Sequence, residues 1–275
     1  GGGLPPGGGG GLGGDGEFSG TISQSAGSLA VEKVGGGTQV FSGANTYSGG
    51  TVVSEGVLLV NNTAGSATGS GAVVVAGGAR FGGRGTISPG SNGLTILSGG
   101  RLAPGNSPGV LTVNGNVLFA QGSLFEVDLA IGGFAGVGDG VIGTDRLIVN
   151  GTVDVGGALL AGTWGGGLGN IFQGGTLTDG QRLWAIVNDG TDQIGGRFAN
   201  SVAQPGLAGM FGDPLADPYF AVVGGQAFAL FYGADFGTFG LSGGNDLLLV
   251  AIPEPGRVVL VMVGLGLLVG RRRRK

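Results

Sequence analysis

TVVSEGVLL (residues 51–59), VVVAGGARF (73–81), TILSGGRLA (95–103) and VLFAQGSLF (117–125) begin 22 residues apart and share one pattern. Gly56, Gly78, Gly100 and Gly122 hold the sixth place of each segment. Before them stand the apolar pairs Val52-Val53, Val74-Val75, Ile96-Leu97 and Leu118-Phe119. After them come Leu58, Arg80, Leu102 and Leu124, then Leu59, Phe81, Ala103 and Phe125. Each unit therefore reads as a short apolar strand, a glycine-bearing bend and a second strand. Such a unit cannot bury its apolar face alone, but stacked copies make a continuous core. The period predicts a β-solenoid with 22-residue coils, its strands about 4.8 Å apart along the axis. Arg80 breaks the apolar column, and its neighbour Phe81 is expected to point inward instead.

Composition supports this reading. Glycine occurs 70 times in 275 residues, far above its ordinary share of about 7%. No G-X-Y period accompanies it and only 10 Pro are present, which excludes collagen. Apolar residues make up 41%, too many for a chain that stays unfolded. Glycine-rich turns between many short strands account for both figures, because glycine enters positive φ without steric penalty.

The chain has no Cys and no His. That removes disulfides, thiolate zinc sites and every catalytic arrangement built on imidazole. Of the 13 basic residues, Arg257 and the run Arg271, Arg272, Arg273, Arg274, Lys275 supply six, which leaves residues 1–256 with a formal charge of −10. So acidic a body lacks the basic face that nucleic-acid binding requires. Catalytic residues, metal ligands and cofactors are all expected to be absent. The paired acids Glu126 and Asp128 lie on one strand face at i, i+2, but no third group converges on them in sequence. Gly243-Gly244-Asn245-Asp246-Leu247 has the look of half a calcium-binding repeat, and a single copy reads as turn chemistry.

Four regions follow along the chain. Residues 1–16 form a glycine-rich leader, and the Gly-Gly-Gly-Leu-Pro-Pro start suggests a fragment of a longer, exported precursor. Residues 17–160 carry the solenoid, with a loop expected over Gly132–Gly143. Residues 161–250 hold further β-coils or a small β-sandwich, with strands near Leu183–Val187, Ala227–Tyr232 and Asp246–Ala251 and an irregular loop over Gln204–Pro218. Residues 251–275 are a separate tail. There Pro253-Glu254-Pro255 is followed by the uncharged run Val258 to Val269, with Val258, Val259, Leu260, Val261, Met262, Val263, Leu265, Leu267, Leu268 and Val269 as its apolar side chains, and then the basic cluster. As a helix the run spans about 18 Å, shorter than a ~30 Å hydrocarbon core. Local thinning and a snorkelling Arg257 make a single short transmembrane helix of it. The terminal arginines place its end on the cytoplasmic side.

Two resemblances sharpen the picture. Residues Gly37–Val60, centred on Asn45-Thr46-Tyr47-Ser48-Gly49-Gly50-Thr51 with Gly56 and Leu58, resemble the autotransporter-associated β-strand repeat. The resemblance implies a right-handed parallel β-helix in a surface-exposed passenger, although the sequence carries no β-barrel translocator. The tail resembles the PEP-CTERM sorting signal. That implies recognition of Pro253, Glu254 and Pro255 by an exosortase-type enzyme, insertion through the apolar run and orientation by the arginines. Gly256, where Ser or Thr is commoner, departs from the pattern, and the span is short. Together they imply an exported, non-enzymatic bacterial surface protein. It would be anchored first in the inner membrane, then displayed on the envelope or released to the matrix, with exopolysaccharide or other surface proteins as partners. The alternative is an extracellular carbohydrate-binding or carbohydrate-cleaving β-helix protein.

Overall fold

The structure, a computed structural model, describes residues 14–105, 109–129, 145–164, 182–188, 192–203, 218–238 and 240–251. The loop expected at Gly132–Gly143, nearly all of the one at Gln204–Pro218, and all of the sorting tail after Ala251 lie outside these residues. Among the described residues the regular structure is all strand. In chain order the strands are β1 Gly16–Phe18, β2 Val31–Lys33, β3 Thr38–Phe41, β4 Thr51–Val53, β5 Val57–Val60, β6 Val73–Val75, β7 Arg80–Gly83, β8 Thr86–Ile96, β9 Arg101–Pro104 and β10 Val110–Phe119. They continue as β11 Leu124–Leu129, β12 Arg146–Val149, β13 Val153–Asp154, β14 Leu159–Trp164, β15 Arg182–Asn188, β16 Val202–Ala203, β17 Tyr219–Val223, β18 Gln226–Ala234 and β19 Asp246–Ala251.

Strands from alternate places in the sequence make up two sheets. The front sheet runs β1-β3-β5-β7-β9-β11-β14, every pair parallel. The back sheet starts β2-β4-β6-β8-β10-β12-β15, also parallel, and then turns antiparallel through β19, β18, β17 and β16. Parallel neighbours about one coil apart in sequence are what a solenoid requires, and the all-β, parallel-stacked part of the expected fold is present.

Inside, side chains stack in columns. The back column is Lys33, Val53, Val75, Ile96 and Phe119. The front column is Gln39, Leu58, Phe81, Leu102, Phe125 and Leu160. From Val53 and from Leu58 onward every member is buried. Fully burying such side chains contributes about 1.5–3 kcal/mol each. The polar Lys33 and Gln39 end both columns at one end of the stack, and Lys33 Nζ donates to the carbonyls of Val34, Gly35 and Glu55.

The uniform 22-residue register needs correcting. Front-sheet steps are 19, 23, 21, 23 and 35 residues, as the column numbers show. Leu58 therefore faces Phe81, not Arg80, and Leu102 faces Phe125, not Leu124. A one-residue slip would turn every side chain to the other face, so burial of Phe81 decides the register. The cause is local. From Val53 to Leu58 the corner takes five residues, whereas Val75–Phe81, Ile96–Leu102 and Phe119–Phe125 take six.

Those longer corners are four-residue turns closed by Ala79 N–H to the Ala76 carbonyl (3.1 Å), Gly100 to Leu97 (2.8 Å) and Ser123 to Ala120 (3.0 Å). Their third residues, Gly78, Gly99 and Gly122, have φ of 86°, 75° and 77°, the type II value that favours glycine. They also pair with one another: Gly78 N–H donates to Gly99, Gly99 to Gly122 and Gly122 to Gly157, each at 2.9 Å. Gly99 thus holds the place in this ladder expected of Gly100. Gly56, at the shorter corner, also has positive φ, 65°.

Residues 182–188 and 192–201 belong to a further coil. β15 pairs with β12, Gly195 bridges Asp154, and Ala199 N–H donates to the Ala158 carbonyl at 2.7 Å. The antiparallel strands β17–β19 then widen the back sheet. The main core passes into them: Phe125 stacks on Phe198 at 6.0 Å, and Phe198 meets Tyr232 at 6.1 Å. A second apolar cluster, with Trp184, Phe231, Leu248 and Val250, covers their opposite face.

Candidate functional site

The segment that resembled a family motif acts between coils. Asn45 is 4% exposed. Its Oδ1 accepts from Ile22 N–H at 2.7 Å, and its Nδ2 donates to the Ala67 carbonyl at 2.5 Å. One side chain therefore staples the coil before it to the coil after it. Tyr47 is fully buried, with its hydroxyl 2.6 Å from Thr51 Oγ1, and burial raises its pKa. Gly49 and Gly50 let backbones close up, since a Cβ at Gly49 would meet the Leu29 carbonyl carbon and oxygen at 2.6 Å.

The outer front face carries charge. Arg80 Nε and Arg101 Nη1 donate to the two oxygens of Glu126, at 3.3 and 3.0 Å. Asp128 Oδ1 accepts from Thr163 Oγ1 at 2.6 Å. The acids paired in sequence therefore each have partners in adjoining strands. Asp145 is buried beside them, accepting from Gly109 N–H at 2.9 Å and Asp128 N–H at 3.2 Å. Burial pushes its pKa up to about 6; the Asp128 charge adds to this, while the two amide hydrogen bonds and Arg80 oppose it.

On the solenoid's third side, where the chain passes from a front strand to the next back-sheet pairing, uncharged polar groups run along the axis. Ser88 N–H donates to Ser66 Oγ (3.0 Å), Asn114 Nδ2 to Ser88 Oγ (3.0 Å) and Asn150 Nδ2 to Asn114 Oδ1 (2.6 Å). Ser66, Ser88 and Asn114 border a shallow groove of about 550 Å³ that also touches Asn45 and Thr86.

A cleft of about 380 Å³ opens between the last coil and the antiparallel strands. Gln193 and Arg197 line it from the coil, Tyr219 and Tyr232 from β17 and β18, and Leu241 and Gly244 from the loop beyond. The Arg197 guanidinium lies over both rings, 4.3 Å from the Tyr232 centroid and 5.3 Å from that of Tyr219. Its Nη1 donates to the carbonyls of Gly196 (2.5 Å) and Ile194 (3.4 Å). Sequence reading missed this cleft, because its residues come from segments joined only by the meander.

Gly243, Gly244 and Asn245 bend the chain into β19, which begins at Asp246. Asp246 is buried and accepts from Asn188 N–H (2.8 Å) and Phe236 N–H (2.7 Å); burial raises its pKa. No group of three or more acids among the described residues is placed to hold a metal ion. Pro253, Glu254, Pro255, the Val258–Val269 run and the Arg271–Lys275 cluster lie outside the described residues. Among those described, no helix is long and apolar enough to cross a membrane.

Comparison with known families places one segment. Residues 31–60 match the model of the passenger-associated-transport-repeat. The match covers β2 to β5, the rungs stapled by Asn45. It is similarity over a short part of the chain, and it agrees with the parallel, all-β stack around it. No curated protein matches the sequence.

Proposed function

We propose that this chain is an exported, non-enzymatic surface scaffold: a right-handed β-solenoid brought to the envelope by its C-terminal tail. The observation that carries the proposal is the passenger-associated repeat at 31–60 lying in register within a parallel stack of coils. Right-handedness follows from the strong preference of parallel crossovers for that hand. The tail adds the finer steps. An exosortase-type enzyme reads Pro253-Glu254-Pro255, the run Val258 to Val269 enters the inner membrane as a single short helix, and Arg271–Lys275 stay cytoplasmic. The body then remains outside, displayed or released to the matrix.

A scaffold role is supported by how the polar groups are used. Glu126 is tied to two arginines and Asp128 to Thr163, which leaves that pair poorly suited to acid–base work on a glycosidic bond. Labelling intact cells of the native host with a membrane-impermeant amine reagent tests the location. Label on Lys33 is expected. A protein protected until the cells are broken, and found in the soluble cytoplasm, would overturn the proposal.

A further inference from the structure

We infer that the cleft between the last coil and the antiparallel strands binds an acidic sugar, a hexuronate residue, through Arg197, Gln193 and Tyr219. The inference does not rest on the sorting tail. Arg197 is one of seven basic residues in a body of formal charge −10. It differs from Arg80 and Arg101, which share Glu126, because no carboxylate among the described residues pairs with it. Two carbonyls hold Nη1 and two tyrosine rings hold the plane, so the guanidinium is fixed while Nε and Nη2 keep donors to offer. A planar fork of donors matches a carboxylate.

The remaining walls select what carries the carboxylate. Gln193 Nε2 is committed to the Gly244 carbonyl at 3.0 Å, which leaves its Oε1 to accept from a hydroxyl. Half-buried Tyr219 and buried Leu241 supply apolar surface of the sort a sugar ring packs against. A volume of about 380 Å³ is at the small end for ligand sites, which suits one or two sugar units. An anion alone would need the arginine but not the acceptor or the apolar wall. A neutral sugar would leave the guanidinium without its partner.

The test is calorimetric titration of the purified full chain with galacturonate and glucuronate oligomers, with neutral glucose oligomers, and with inorganic phosphate. Uronates should bind at least roughly tenfold more tightly than either other probe, and raised salt should weaken them. Arg197→Gln should weaken uronate binding by roughly tenfold or more. Gln193→Glu, which leaves the stacked guanidinium in place but sets a carboxylate in the cleft, should do the same. Tyr219→Ala, which removes the apolar wall and one of the two rings against the guanidinium, should weaken uronates by a larger factor than it weakens phosphate. Phosphate binding as tight as uronate, neutral sugar binding as tight as uronate, or full affinity in Gln193→Glu would each overturn the inference.

Discussion

Arg80 and Arg101 stand side by side on neighbouring front strands, and both donate to the same carboxylate, that of Glu126. Two like charges directly across a sheet repel, so Glu126 is what makes the pairing tolerable. Glu126→Gln should lower stability by about 1 kcal/mol at most, because both arginines are half-exposed and solvent screens them. Urea unfolding at two salt concentrations checks this: the loss should shrink at high salt.

The four glycines found by periodicity should not respond alike to alanine. At Gly78 a Cβ would meet nothing within 4 Å, so only its φ of 86° opposes substitution, at about 1 kcal/mol. At Gly56 the Cβ would lie 2.4 Å from the Gly35 carbonyl oxygen as well as at positive φ. Gly100 needs no special φ but has three carbonyl oxygens within 2.9 Å of that position. Melting temperatures should therefore fall least for Gly78→Ala and most for Gly56→Ala.

Asn45→Ala should cost about 2–3 kcal/mol, since it removes both inter-coil bonds and strands a buried donor and acceptor. Asn45→Asp should be worse, because a carboxylate would then face the Ala67 carbonyl. Tyr47→Phe should cost about 1 kcal/mol by depriving Thr51 of its short partner. Chemical denaturation of the three variants orders them.

Asp145 gives a pH signature. Its folded pKa of about 6 lies above the ordinary 3.8, so between these values the folded state holds more proton than the unfolded. Stability from this group is then greatest below about pH 4, falls as pH rises to 6, and is flat above. The fall is about 2 kcal/mol after allowance for screening. Asp145→Asn should remove that part of the slope. Asp246, also raised by burial, should keep a residual slope of the same sign in the variant.

Much of the fold was legible because stacked coils repeat their chemistry. The apolar–glycine–apolar pattern marked the corners and strands, and Phe81 beside Arg80 showed which residue had to face inward. The exact register was hidden, because a corner shortened by one residue at Gly56 and third sides of unequal length compensate in the average spacing. Beyond Leu129 the period fails for a physical reason. The next rung comes 35 residues later, and antiparallel strands pair by folding back, with no need of a fixed repeat. The Arg197 cleft was illegible for the same reason. Asn45 was noticed as part of a motif, but only the coil stacking gives its amide two partners.

The central claim is that the body is exported and sorted by its tail. Mass spectrometry of the C-terminal peptide, on protein recovered from the native host, tests it most directly. The account predicts a C-terminus near Pro253–Pro255, with the Arg271–Lys275 cluster gone. An intact Lys275 on protein in the soluble cytoplasm would contradict it.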